Sequence, residues 1–108
     1  MLRASADAND ETIEMRGVGH ITIDSGVPGD ADLTALTDAT ILRDPDEIAV
    51  ARARAIDRLG AAATVRAIAV AGNFEMMNRL LDAMGVGPTA SMRTIGGLID
   101  VPLPARFG

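Results

Sequence analysis

The side chains able to do chemistry are few and spread out. His20 is the only histidine in the 108 residues, and there is no cysteine. A histidine without a thiol, a serine triad or a second ligand completes no catalytic set, so the plainer reading of His20 is a solvated or hydrogen-bonded strand residue. Asp24 is the one acid placed to join it at a metal, and two ligands are too few; no metal site is expected. Arg66 and Asn73, seven residues apart, share one side of a helix within an apolar arc. Each then needs a backbone carbonyl, a carboxylate or a ligand as partner. Glu75 and Arg79 stand at i and i+4 in the favourable order, with Asp82 three residues on, which reads as a charge ladder. Arg52 falls between Ile48 and Ile56 and is expected to pair with a carboxylate, Glu75 first and Asp82 second. The candidate ligand or interface residues are therefore Arg52, Arg66, Asn73, Glu75 and Arg79. No residue qualifies as catalytic and no cofactor is implied, since the GVG and IGGL glycines are too sparse for a dinucleotide or phosphate loop.

The element that must carry most of these residues is the stretch 59–85, LGAAATVRAIAVAGNFEMMNRLLDAMG. It has no proline and is closed by glycines, which predicts one helix of six to seven turns. Val65, Val70, Phe74, Met76, Met77, Leu80, Leu81 and Met84 fill more than half of its circumference. Thr64, Glu75, Asn78, Arg79 and Asp82 share the rest. An apolar arc that wide predicts a helix in the middle of a bundle or at a subunit contact. Seven small residues keep its first half thin, and the bulky side chains crowd the second.

Upstream, residues 1–10 are small and acidic and predict a frayed start. Residues 12–24 alternate, with Ile13, Met15, Ile21 and Ile23 against polar partners. That predicts an extended arm, or a hairpin turning at Gly17, Val18 and Gly19. SGVPGD at 25–30 is a linker. A short helix capped by Asp30 or Asp32 should follow through Ala39, with Leu33 and Leu36 inward. The clearest helix start is at Asp44, where DPDE supplies an N-cap, a proline at the first helical position and a capping-box acid. That helix should stop at Gly60, with Ile48, Ala55, Ile56 and Leu59 as its apolar face. After Gly85 a shorter helix from Pro88 or Thr89 is interrupted by Gly96 and Gly97, and VPLPARFG is extended because of Pro102 and Pro104. The chain thus divides into a flexible arm and linker, 1–29, and a helical domain, 30–108.

Composition supports helices. Two phenylalanines, with no tyrosine or tryptophan, leave aliphatic residues and methionine to do the packing. Such a core suits closely spaced helices better than a sandwich or barrel. A net charge of −5 without a basic cluster or stacking aromatics argues against nucleic acid and anionic membrane as partners. Acids occupy the first residues where a signal peptide needs an apolar run, and no 18 apolar residues run together, so a cytoplasmic location is expected.

The stretch 44–87 resembles the C-terminal portion of the carboxymuconolactone decarboxylase and alkylhydroperoxidase D-like superfamily. The resemblance rests on RDPDEI opening one helix and on TVRAIAVAGNFEMMNRLLDAMGVG, with its FxxMNRLxDAxGV pattern. It implies an all-α fold, a small helical bundle of that type carrying the N-terminal arm or hairpin, that buries its faces in homo-oligomers. The family's activity resides in a preceding helix pair with a glutamate, a CxxC or single cysteine, and a histidine, and no position here matches that set. The reading that follows is a non-catalytic, oligomer-forming helical protein, a dimer or a multiple of one, assembling with itself or with a cysteine-bearing relative. The alternative is a thiol-independent small-molecule binder, or a decarboxylase or lactone-handling enzyme, with its site at the oligomer contact. Without a thiolate to attack a peroxide oxygen, the purified protein should show no thiol-dependent peroxide reduction above a heat-killed control. Turnover clearly above that control would overturn this expectation.

Overall fold

The computed structural model describes residues 8–10, 12–18, 20 and 22–107. The expectations for residues 1–7, Gly19 and Ile21 lie outside the described residues. Among those described, the chain forms four α-helices and no strand: α1 (Asp30–Leu42), α2 (Pro45–Leu59), α3 (Ala61–Ala83) and α4 (Ala90–Leu98). They fall into two compact units. Residues 29–86 hold α1, α2 and α3, and the described residues on either side, α4 among them, form the other.

In the first unit α1 and α2 form a helical hairpin. The N-cap of α1 is Gly29, with no side-chain cap, so neither Asp30 nor Asp32 caps it as expected. Both acids sit inside the first turn, where negative charge suits the helix N-terminus. The Asp32 side chain, only 8% exposed, lies 3.6 Å from Nη1 of Arg58 in the last turn of α2 and ties the two open ends together. Helix α1 runs three residues beyond the expected Ala39 and ends with Arg43 at positive φ (59°). The Arg43 N–H donates to Thr40 O and the Asp44 N–H to Ala39 O, which is the Schellman pattern. Asp44 then starts α2 as expected, its Oδ1 accepting from the N–H groups of Asp46 and Glu47 at 3.1 Å each. Because its own N–H is already bound to Ala39 O, the capping box is closed from one side only.

The hairpin closes on small residues. Leu36, Ala39, Ala51 and Ala55 are buried, with Ala35 and Ile48 packed on them. The buried row of α2 is thus Ala51 and Ala55, while Ile56, expected inward, is exposed. Alanine allows the backbones to approach closely, and the larger branched side chain is displaced to the flank. Helix α3 follows directly through Gly60, whose φ of 87° and ψ of 160° form a conformation that only glycine adopts readily. The Gly60 carbonyl accepts from both the N–H and the Oγ1 of Thr64.

Helix α3 departs from the expected polarity at Thr64 and across most of its apolar arc, while Asn78, Arg79 and Asp82 are exposed and Leu81 is half-buried. Thr64, placed by pattern on the polar strip, is 2% exposed and packed inside. Ala67, Ala71 and Glu75 are half-buried on the same side. The arc expected to be covered is mostly exposed instead: Val65 65%, Val70 57%, Phe74 43%, Met76 55%, Met77 45%, Leu80 55% and Met84 67%. Only α1 and α2 are available within this unit, and at alanine-limited spacing they accept the thin side of α3, not its bulky one.

The second unit replaces the expected arm or hairpin by local turns. Met15–Val18 is a 3-10 turn. The Glu14 carboxylate accepts from the backbone N–H of Arg16 and takes both Nε and Nη2 of its guanidinium, at 3.0 to 3.3 Å. The Arg16 side-chain bond, and after it the Arg16 backbone bond, holds the Glu14 carboxyl below the usual carboxylate value. Asp24 Oδ1 accepts from Gly26 N–H and Ser25 Oγ from Val27 N–H, so short polar side chains satisfy backbone donors that a strand would need to pair elsewhere. Gly17 is required by contact, since a Cβ there would lie 2.8 Å from Ser25 Cβ and 2.9 Å from Ile23 O. The interruption expected at Gly96 and Gly97 does not occur. Thr89 caps α4 through Oγ1, and the helix passes both glycines to Leu98. Asp100, at φ 56°, lets Val101 N–H reach Gly96 O, and 101–104 is non-helical as the prolines require, before a 3-10 turn at Ala105–Phe107.

Three helices therefore end in the same way, α3 with Gly85 in the positive-φ position and α1 and α4 with Arg43 and Asp100. Arg43 carries the steric cost of a Cβ in that region, so Arg43→Gly should stabilise the protein by about 0.5 to 1 kcal/mol. Urea unfolding of the two proteins checks this: the midpoint should rise with the slope unchanged, and a lower midpoint would contradict it.

Candidate functional site

A groove of about 450 Å³ opens between α1 and α3. Its residues come from rows of one helical spacing. Leu33, Thr37 and Ile41 form an i, i+4, i+8 row on α1; Ala67, Ala71 and Glu75 form one on α3, and Arg66, Val70, Phe74 and Asn78 another. The floor is small because Ala67 and Ala71 are, and Leu33, Ile41, Val70 and Phe74 supply apolar walls. Polar groups stand mainly at two places: Arg66 at one end, and Glu75 with Asn78 at the other. With 1.5 Å of rise per residue, Arg66 and Asn78 are about 18 Å apart along the axis.

Of the five candidate residues, the groove brings together Arg66 and Glu75. Glu75 is engaged by Arg79, Oε2 to Nε at 3.4 Å, so the expected i, i+4 pair forms and Arg79 reaches the groove through it. Arg66 is exposed and makes no ion pair among the described residues, which differs from the buried, paired setting expected for it. Asn73 is likewise exposed, its Nδ2 lying 3.7 Å from Met77 Sδ, and it does not line the groove. Arg52 lies on the exposed side of α2, paired with neither Glu75 nor Asp82. The buried row of that helix runs through Ala51 and Ala55, one residue away from the row that the Ile48 and Ile56 spacing suggested.

The sequence pattern did not mark Leu33, Thr37, Ile41 and Asn78 as groove residues. The signal for the first three was their four-residue spacing, legible only once α1 is known to continue past Ala39. His20 is held in the other unit, where its Nε2 lies 3.0 Å from Ile99 O and 3.2 Å from Asp100 O. Two carbonyl acceptors require Nε2 to carry a proton, and the ring ties down the two carbonyls that follow α4. Among the described residues no three His, Asp or Glu side chains converge as a metal site would need. No helix among them is long and apolar enough to cross a membrane.

Compared with protein-family models, with curated proteins and with solved structures, the chain finds no match. Because Arg52 is exposed and makes no ion pair among the described residues, Arg52→Ala should shift stability by no more than about 0.5 kcal/mol, as for an ordinary surface site. Thermal unfolding beside Arg54→Ala checks this; a loss of about 3 kcal/mol or more would mean a buried pair.

Proposed function

We propose that the chain is a non-catalytic, self-associating helical protein related to the carboxymuconolactone decarboxylase and alkylhydroperoxidase D-like superfamily, with the outer face of α3 buried against a second copy. The observation that carries this reading is the exposed apolar face of α3. Val65, Met76, Met77, Leu80 and Met84 form a stripe on the side turned from α1 and α2, every member 45% exposed or more. With Val70 and Phe74 beside it, the apolar area is on the order of 600 Å², at the upper end of what a monomer carries. Exposed Ala62, Ala69 and Gly72 flank the stripe, bringing it close to the roughly 800 Å² per partner of a stable interface.

A second copy fits for a reason of shape. The N-terminal half of α3 is thin and the C-terminal half bulky, so two α3 helices related by a two-fold axis and running antiparallel set each thin half against the other's bulky half. The Met and Leu side chains of the stripe then lie over the half that carries Ala62, Ala69 and Gly72, with Val65, Arg66 and Asn73 among them, and both apolar faces are covered at once. A cysteine-bearing relative presenting the same FxxMNRLxDAxGV helix would offer the same complement, and mixing experiments separate the two.

Light scattering at micromolar concentration tests the proposal. The expected mass is twice 11.2 kDa or a multiple of it. Met76→Glu with Leu80→Glu places charges in the stripe and should return the chain to the mass of one copy with α1 and α2 still folded. A wild-type mass of 11.2 kDa together with a cooperative thermal transition would overturn it.

A further inference from the structure

We infer that the groove between α1 and α3 is a binding site for a small amphipathic monocarboxylate, an apolar chain or ring bearing one carboxylate, held with that carboxylate at Arg66. This goes beyond self-association: Val65, Met76, Met77, Leu80 and Met84 are not in the groove lining, Val70 and Phe74 border both surfaces, and the two readings are tested apart, one by mass and the other by ligand titration.

Size and polarity define the ligand. A volume of about 450 Å³ lies within the roughly 300 to 1,000 Å³ of small-molecule sites. The walls are Leu33, Ile41, Val70 and Phe74, and the floor is methyl-sized at Ala67 and Ala71, which suits a narrow apolar body lying along the α3 axis. A peptide backbone would leave its own polar groups unmatched on such walls.

Charge then sets the orientation. Arg66 is the one cation in the lining and makes no ion pair among the described residues, so its guanidinium can take a carboxylate through two parallel N–H donors. Nine residues on, Glu75 is anionic and already engaged by Arg79. A carboxylate placed at that end would meet a like charge with its counter-ion occupied. The two ends therefore exclude both a reversed monocarboxylate and a dicarboxylate spanning the groove, while Asn78 offers that far end a neutral hydrogen-bonding group.

Titration of the full chain with octanoate and with 1-octanol, followed by methyl NMR and calorimetry, tests the inference. Octanoate should saturate one site per chain and move the methyl resonances of Leu33, Ile41 and Val70, and 1-octanol should bind at least tenfold more weakly. Arg66→Gln should weaken octanoate about tenfold and leave 1-octanol unchanged, the size expected for losing a charge-assisted pair. Arg66 is exposed, so the variant should keep the wild-type circular dichroism and thermal midpoint, and Arg66→Lys should recover part of the loss. Absence of saturable binding, equal binding of octanoate and 1-octanol, an unaffected Arg66→Gln, or shifts confined to Val65, Met76, Leu80 and Met84 would each overturn the assignment.

Discussion

The organisation of the three-helix unit depends on how closely α1 and α2 approach. Their contact is made by Ala39, Ala51 and Ala55 around Leu36, with the Asp32–Arg58 pair across the open end. Residues this small bring the backbones near each other and leave a narrow surface for a third helix. Thr64, Ala67 and Ala71 fit against it, and a methionine or phenylalanine in their place would hold the helices apart at a cost in lost contacts. The bulky half of α3 is therefore excluded from its own unit by the packing that makes the unit compact. Exposed apolar surface on α3 follows from close packing at the hairpin.

The same small residues produce the groove. Where Ala67 and Ala71 face Thr37, no side chain is large enough to fill the space between α1 and α3, and the longer Leu33, Ile41, Val70 and Phe74 border it without closing it. Gly60 sets this arrangement up, because its backbone conformation allows α3 to leave α2 without an intervening loop, and the Thr64 hydroxyl is satisfied by the Gly60 carbonyl so that it can be buried. Two surfaces of α3 thus differ in kind. One is a convex apolar stripe suited to a broad partner, and the other a concave row with a cation at one end, suited to a small amphipathic molecule.

Helix endings show how local hydrogen bonding outranks residue preference. Gly85 occupies the position that favours glycine, yet Arg43 and Asp100 adopt the same positive φ, because the paired bonds to Ala39 and Thr40, and to Gly96 and Gly97, are worth more than the Cβ strain. His20 adds to the second ending by donating to the carbonyls of Ile99 and Asp100. The lone histidine is thereby accounted for as a structural tie on the turn that follows α4.

What could be read from the sequence was whatever neighbours along the chain decide. The Asp44 cap, the proline-led start of α2, the span of α3 between its glycines and the Glu75–Arg79 pair all rest on interactions within four residues, and all are present. The N-terminal segment misled because alternation predicts a strand only where a partner strand exists; here Glu14, Asp24 and Ser25 satisfy backbone donors locally and turns result. Which face of each helix turns inward was decided by tertiary structure alone. Hydrophobic pattern favoured Ile56 over Ala51 and the Met and Leu arc over Thr64, whereas alanine-limited spacing chose the opposite in both helices. Hydrophobicity says how much a residue gains by leaving water, and shape decides which residues the neighbouring helices have room to cover.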